Sequence, residues 1–227
     1  MQPTLQEFFI QENMKTIKQI FSIILSAGVL AFAGPAAAQE APDAFVKRIS
    51  QEVIDIAKTD KEIQGGNQKR VLDLVESKIL PYVDFQRMTA LAAGRHWRDA
   101  TPEQQKQLTS EFRSLLVFTY SGAIAQVKDQ QVEFKPLRME PADTEVEVRS
   151  SVVQARGGEP IQLNYRLEKV ASGWKIYDVN VLGAWLVETY KGNFAAEIGK
   201  NGFDGLIKAL AEKNKSLGAR AVKPVKS

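Results

Sequence analysis

The chain has 227 residues, 44% of them hydrophobic, with a net charge of +3 and no cysteine. The missing cysteine excludes a disulfide framework, a thiolate nucleophile and Cys-ligated zinc or iron-sulfur sites. The small positive charge does not indicate a nucleic-acid partner, and the length suits one domain of ordinary size.

At the start, Met14, Lys15 and Lys18 precede the apolar run Ile20 to Ala33 and then Gly34-Pro35-Ala36-Ala37-Ala38-Gln39. A basic stretch, an apolar stretch and a small-x-small site predict a secretory signal peptide removed after Ala38. The apolar run is shorter than the roughly 20 residues a membrane anchor needs. Glu7 and Glu12 are foreign to such a leader, so translation is expected to begin at Met14. The expected organisation is an extension and leader over 1–38, a domain over 39–215 and a basic tail over 216–227.

Val46, Ile49, Val53, Ile56 and Ala57 recur at helical spacing after Pro42 and Asp43, ending before Gly65-Gly66. Asn67 is a candidate N-cap for a second helix with the stripe Val71, Leu72, Val75 and Ile79, ended by Pro81. Asp84 caps a short third through Phe85, Met88 and Leu91, closed by Gly94. Thr101, Pro102, Glu103 and Gln104 form the strongest start signal, a capping box. The helix that follows is predicted to run to about Val127, with Leu108, Phe112, Leu115, Leu116 and Thr119 on one face.

Beyond Asp129 the period becomes two. Val132, Phe134 and Leu137 suggest an edge strand interrupted by Pro136. In a second strand, Val146 and Val148 are followed by Val152 and Val153, and Ser150-Ser151 is read as a bulge that shifts the alternation. A third alternates Ile161, Leu163, Tyr165 and Leu167 with Gln162, Asn164, Arg166 and Glu168. A fourth, Trp174 to Val181, is apolar on both faces, with Trp174 and Ile176 expected opposite Tyr177, Val179 and Val181. Two helices follow, one with Leu186, Val187, Tyr190, Phe194 and Ile198, the other with Phe203, Leu206, Ile207 and Leu210. Helices first and antiparallel strands afterwards predict an α+β domain.

Catalytic chemistry has few candidates. His96 is the only histidine and lies between two arginines; Asp178 is the carboxylate a buried strand would perturb, or else a partner of Arg166. There is no phosphate loop, HExxH or Gly-x-Ser-x-Gly motif. The apolar side chains expected to face one another are Phe112, Leu115, Leu116 and Tyr120 on a helix, and Val148, Val152, Leu163, Tyr165, Ile176 and Val179 on strands. By themselves they describe either a packed core or a lined cavity.

Two blocks of residues resemble a known family. Tyr82-x-Asp84, the run from Trp97 to Gln104, Phe112, Leu115-Leu116 and Thr119-Tyr120 form the first. Tyr165-Arg166, Gly173-Trp174-Lys175, Tyr177-Asp178-Val179, Gly183, Leu186-Val187, Tyr190 and Phe194 form the second. Together, over roughly Phe45 to Leu210, they resemble the MlaC family of periplasmic phospholipid carriers, also called toluene-tolerance proteins. Ala184-Trp185 departs from that pattern, which more often has a small polar residue before Leu-Val.

The resemblance implies an NTF2-like curved antiparallel sheet covered by helices, with an internal cavity for acyl chains. It also implies a non-enzymatic carrier without cofactor, and a shuttle that diffuses between two membranes is most simply a monomer. Such a carrier holds two acyl chains and moves phospholipid between an outer-membrane MlaA-type lipoprotein complex and the MCE-domain subunit of an inner-membrane ABC transporter. The residues expected to contact lipid are Leu91, Phe112, Leu116, Tyr120, Val148, Val152, Leu163, Tyr165, Ile176, Val179 and Val181. The rival reading is an NTF2-like enzyme acting on a small substrate through Asp178, Tyr165 and His96.

Overall fold

The computed structural model describes residues 40–154 and 157–221; the segment read as a signal peptide lies outside them. Helices come first: α1 Pro42–Thr59, the single turn α2 Lys61–Gln64, α3 Gln68–Lys78, α4 Phe85–Ala93 and α5 Pro102–Tyr120. Short 3₁₀ turns, Leu80–Tyr82, Gly94–Asp99 and Ser121–Gln126, follow α3, α4 and α5. The strands are β1 Gln131–Phe134, β2 Glu145–Val153, β3 Ile161–Val170, β4 Gly173–Val181 and β5 Ala184–Trp185, and α6 Leu186–Ala221 ends the described chain.

The expected helix starts have a visible cause. Asn67 accepts the Arg70 amide, Asp84 accepts the Arg87 amide, and Thr101 and Gln104 exchange both bonds of the capping box. Each satisfies amides that a first helical turn leaves without partners. The helix begun at Thr101 stops being α-helical at Tyr120, earlier than Val127, because Ser121-Gly122 tightens into a 3₁₀ turn. The two C-terminal helices join end to end across Gly202, whose φ of 70° breaks the helical path. The second continues to Ala221, into the segment read as tail.

The five strands form an antiparallel meander in chain order. Register runs unbroken from Glu145 opposite Glu168 to Val152 opposite Ile161, so Ser150-Ser151 is not a bulge. Ser150 continues the inward face after Val146 and Val148, and its hydroxyl is satisfied by the Leu163 carbonyl. The bulge lies one hairpin later: Arg166 pairs with Asp178 while Leu167 pairs with Ile176, leaving Tyr177 as the extra residue. This resolves the two apolar faces of β4 differently from the expectation. Leu163, Tyr165 and Leu167 share a face, and their partners Val181, Val179 and Ile176 share it too. Val179 and Val181 therefore lie with Ile176, and only Tyr177 is turned outward by the bulge.

On the outer face the bulge is held by polar contacts. Asp178, 1% exposed, accepts the amides of Val179 and Val187 and meets Arg166 at 3.3 Å. Burial pushes its pKa up, opposed by those two amides and by Arg166. Arg166 in turn lies 3.9 Å over the Trp185 ring. The Tyr177 hydroxyl bonds Glu145 at 3.0 Å, and Arg87 covers its ring at 3.8 Å while reaching Glu145 and Glu168.

On the inner face two packed regions meet. Phe45, Val46 and Ile49 of α1 pack on Val146, Val148, Leu167, Trp174 and Ile176. Met88, Phe112, Leu115, Leu116, Leu186 and Phe194 form the second region, with Val179 and Val181 at its margin. Replacing Asp178 by Ala leaves the Val187 amide and the guanidinium without their acceptor, an expected loss of about 2–3 kcal/mol. Asp178→Asn keeps one acceptor and should cost about 1 kcal/mol or less by the same reasoning. Urea unfolding of the two variants measures the difference.

Candidate functional site

Where α1 covers the sheet the packing is solid; beyond the bulge it is not. A cavity of about 290 Å³ lies between the inner face of the sheet and the layer made by α3, α4 and α5. Its floor is Leu163 of β3 with Val179 and Val181 of β4. One wall comes from the end of α3 and the connection to α4: Val75, Ile79, Leu80, Val83, Phe85 and Met88. The opposite wall is the end of α5 and its 3₁₀ turn, with Leu116, Val117, Tyr120, Ser121, Ala123 and Ile124, and Leu186 of α6 closes it.

The sequence places the hollow here for two reasons. The bulge bends β4 where Val179 and Val181 leave the region covered by α1. The α3–α4 connection is held against that bend by the Asp84 amide on the Ile176 carbonyl at 2.8 Å, and by a parallel bridge between Val83 and Ile176. The helices thus meet the sheet at Ile176 and stand off from it at Val179. Apart from Tyr120 and Ser121, every lining side chain is apolar, and none is charged.

Of the eleven side chains expected to contact ligand, Leu116, Tyr120, Leu163, Val179 and Val181 line this cavity. The other six stand elsewhere. Val148, 1% exposed, and Ile176 are packed under α1. Tyr165 packs beside them, its phenol near Ser50 and Ser150, with burial pushing its pKa up. Phe112 is fully buried behind Leu116, edge-on to Tyr190 and Phe194 at 5.0 Å. Val152 pairs with Val132 and Ile161 near the sheet margin, and Leu91 faces outward on α4, 39% exposed.

The wall residues of the α3–α4 connection were absent from the expected set. Their signal was the run Ile79-Leu80-Pro81-Tyr82-Val83, too apolar for a surface turn, yet it reads equally as a helix end. The candidate acid-base groups do not converge: Asp178 is on the outer face with Arg166, Tyr165 is under α1, and His96 is in the 3₁₀ turn after α4. Among the described residues no cluster suits a metal ion, and no helix is long and apolar enough to cross a membrane.

The mouth carries the polar groups. Tyr120 is 36% exposed, and the Tyr190 phenol lies beside it. Burial and the neighbouring Tyr120 push the Tyr190 phenol up to about 12. Ser121, 3% exposed, accepts from Gln68 Nε2 at 3.1 Å.

Fold and site together define an α+β domain that encloses an apolar ligand space without catalytic machinery in its lining. The family profile described as MlaC protein matches residues 47–212, and the chain belongs to the MlaC family. It is 24% identical over 207 residues to the intermembrane phospholipid transport system binding protein MlaC of Haemophilus influenzae, across 88% of this chain and 95% of that one. The toluene tolerance protein ttg2D of Pseudomonas putida is 26% identical over 171 residues, 74% of this chain and 77% of that one. A solved structure of the phospholipid-binding protein from Ralstonia solanacearum, in complex with a phospholipid, is 47% identical with a TM-score of 0.74, covering 79% of this chain and 99% of that one.

A hollow wall accepts volume that a packed one rejects. Val181→Phe, projecting into the cavity, should change stability by less than about 1 kcal/mol, whereas Val148→Phe should cost about 1–3 kcal/mol or more. Thermal unfolding of the two variants in ligand-free protein checks the contrast.

Proposed function

We propose that this chain is a periplasmic phospholipid carrier that holds acyl chains in the cavity between the sheet and the α3–α5 layer. The observation that carries this reading is the lining itself, apolar on floor and walls with hydroxyls only at Tyr120 and Ser121. The relative from Ralstonia solanacearum, nearly half identical and covered almost end to end, supports a phospholipid as the ligand.

The energetics set what the cavity must do. Each acyl methylene costs about 0.8 kcal/mol to expose, so two chains of about 15 methylenes cost on the order of 20 kcal/mol in water. A volume of about 290 Å³ is at the lower end of the roughly 300–1,000 Å³ typical of small-molecule sites. Holding two chains therefore requires the helix layer to part from the sheet. The contact at Val83 and Ile176 and the Arg87 ion pairs make the α4 side of that layer the fixed edge. The far edge, at Tyr120 to Ile124, is the one that moves.

The carrier is exported by a cleaved leader, acts as a monomer, and exchanges lipid with an outer-membrane MlaA-type lipoprotein complex and an inner-membrane MCE-domain transporter subunit. It carries no cofactor and performs no catalysis; the separation of Asp178, Tyr165 and His96 supports this over the enzyme reading. A charge on the cavity floor should abolish loading without unfolding the protein. Leu163→Asp is expected to purify folded but without phospholipid, judged by circular dichroism and by mass spectrometry of a solvent extract. Wild-type loading in a folded Leu163→Asp protein would contradict the pocket assignment.

A further inference from the structure

Two neighbouring hydroxyls, of Tyr120 and Ser121, interrupt an otherwise apolar cavity, and that of Ser121 is held by a donor from another helix. Ser121 lies at the junction where α5 gives way to the 3₁₀ turn, and its amide bonds the Val117 carbonyl. Other hydroxyls on α5 are spent on the carbonyl four residues back: Thr109 on Gln105, Ser114 on Ser110 and Thr119 on Leu115. Ser121 is different. Its oxygen is used as an acceptor by Gln68, a residue 53 positions away on α3, at 3.1 Å. A serine hydroxyl has one proton to give, and this one, almost fully buried and on the cavity wall, is not given to the helix.

Tyr120, next in the chain, lies toward the mouth. Its neighbour Tyr190 is clamped edge-on by Phe112 at 5.0 Å and tilted against Phe194 at 6.0 Å. The Tyr120 phenol lines the cavity and is partly exposed at its open end, where its proton can be given to a ligand. The two hydroxyls are adjacent in sequence and both line the cavity, with Ser121 held by Gln68 from outside the lining.

We infer that Tyr120 and Ser121 form a polar collar that donates hydrogen bonds to the ester carbonyls of a diacyl glycerophospholipid, setting the depth to which its chains enter. The inference rests on the carrier reading and adds to it a chemical preference. Below the collar every group is apolar and suits methylenes; above it the head group lies in water. Carbonyl oxygens occur in a diacyl lipid only at that boundary. An ester carbonyl accepts well, whereas the ether oxygen of an alkyl lipid leaves a buried donor poorly satisfied, which is costly away from water.

The test is a competition between a diester phosphatidylcholine and the diether phosphatidylcholine of equal chain length, offered in mixed vesicles to delipidated full chain. Bound lipid is read by native mass spectrometry. Wild type is expected to favour the diester by roughly tenfold. Tyr120→Phe and Ser121→Ala should each reduce the ratio, and the double variant should bring it to about one while still loading the diether lipid. A wild-type ratio near one with both lipids bound would overturn the collar and leave the carrier reading standing, as would a double variant that keeps the preference. Failure of wild type to load either lipid would overturn both.

Discussion

The extra residue at Tyr177 is the constraint on which the site depends. Without it, alternation from Ile176 would put Val179 and Val181 on the outer face and turn Asp178 inward, and the cavity would have no floor. The bulge is stable because its polar consequences are all met on the outer face. The Tyr177 ring lies under Arg87, its hydroxyl reaches Glu145, and the Asp178 carboxylate takes two amides and a guanidinium. One of those amides, from Val187, fixes the start of α6 and thereby brings Leu186 to the cavity from the far side. A single carboxylate so ties the floor, the closing helix and the Arg166–Trp185 stack together. The family departure at Ala184-Trp185 therefore falls on the outer side of this knot, where Trp185 gives Arg166 a ring to lie on.

Much of the architecture was legible in the sequence. Caps at Asn67, Asp84 and Thr101 are local chemistry, and the alternation of β3 is a period that sequence displays directly. The bulge was not legible in the right place. Ser150-Ser151 looked like an interruption because serine is polar, yet Ser150 is inward with its hydroxyl spent on Leu163. Tyr177-Asp178 did not, because tyrosine passes for a member of either face. A shift of register is a property of the pair of strands, and only one strand is visible in a run of residues.

The candidate site was legible in part for a related reason. An apolar residue is needed equally by a wall and by a core, so Val148 and Ile176 cannot be separated from Val179 and Val181 by type. What separates them is which helix lies above: α1 fits tightly on the first pair, and the α3–α5 layer stands away from the second. The far wall, from Ile79 to Phe85, belongs to a connection whose role is set by its bridge to β4, a contact nearly a hundred positions distant. Ser121 carried no signal, because its meaning lies in a bond from Gln68.

The central claim is that acyl chains occupy the space over Leu163, Val179 and Val181. Crystals of the protein loaded with a phospholipid brominated along its chains would locate those chains by anomalous scattering. The account predicts bromine peaks between that strand floor and Leu116 of α5. Peaks confined to the outer face of the sheet, or to the groove under α1, would contradict it.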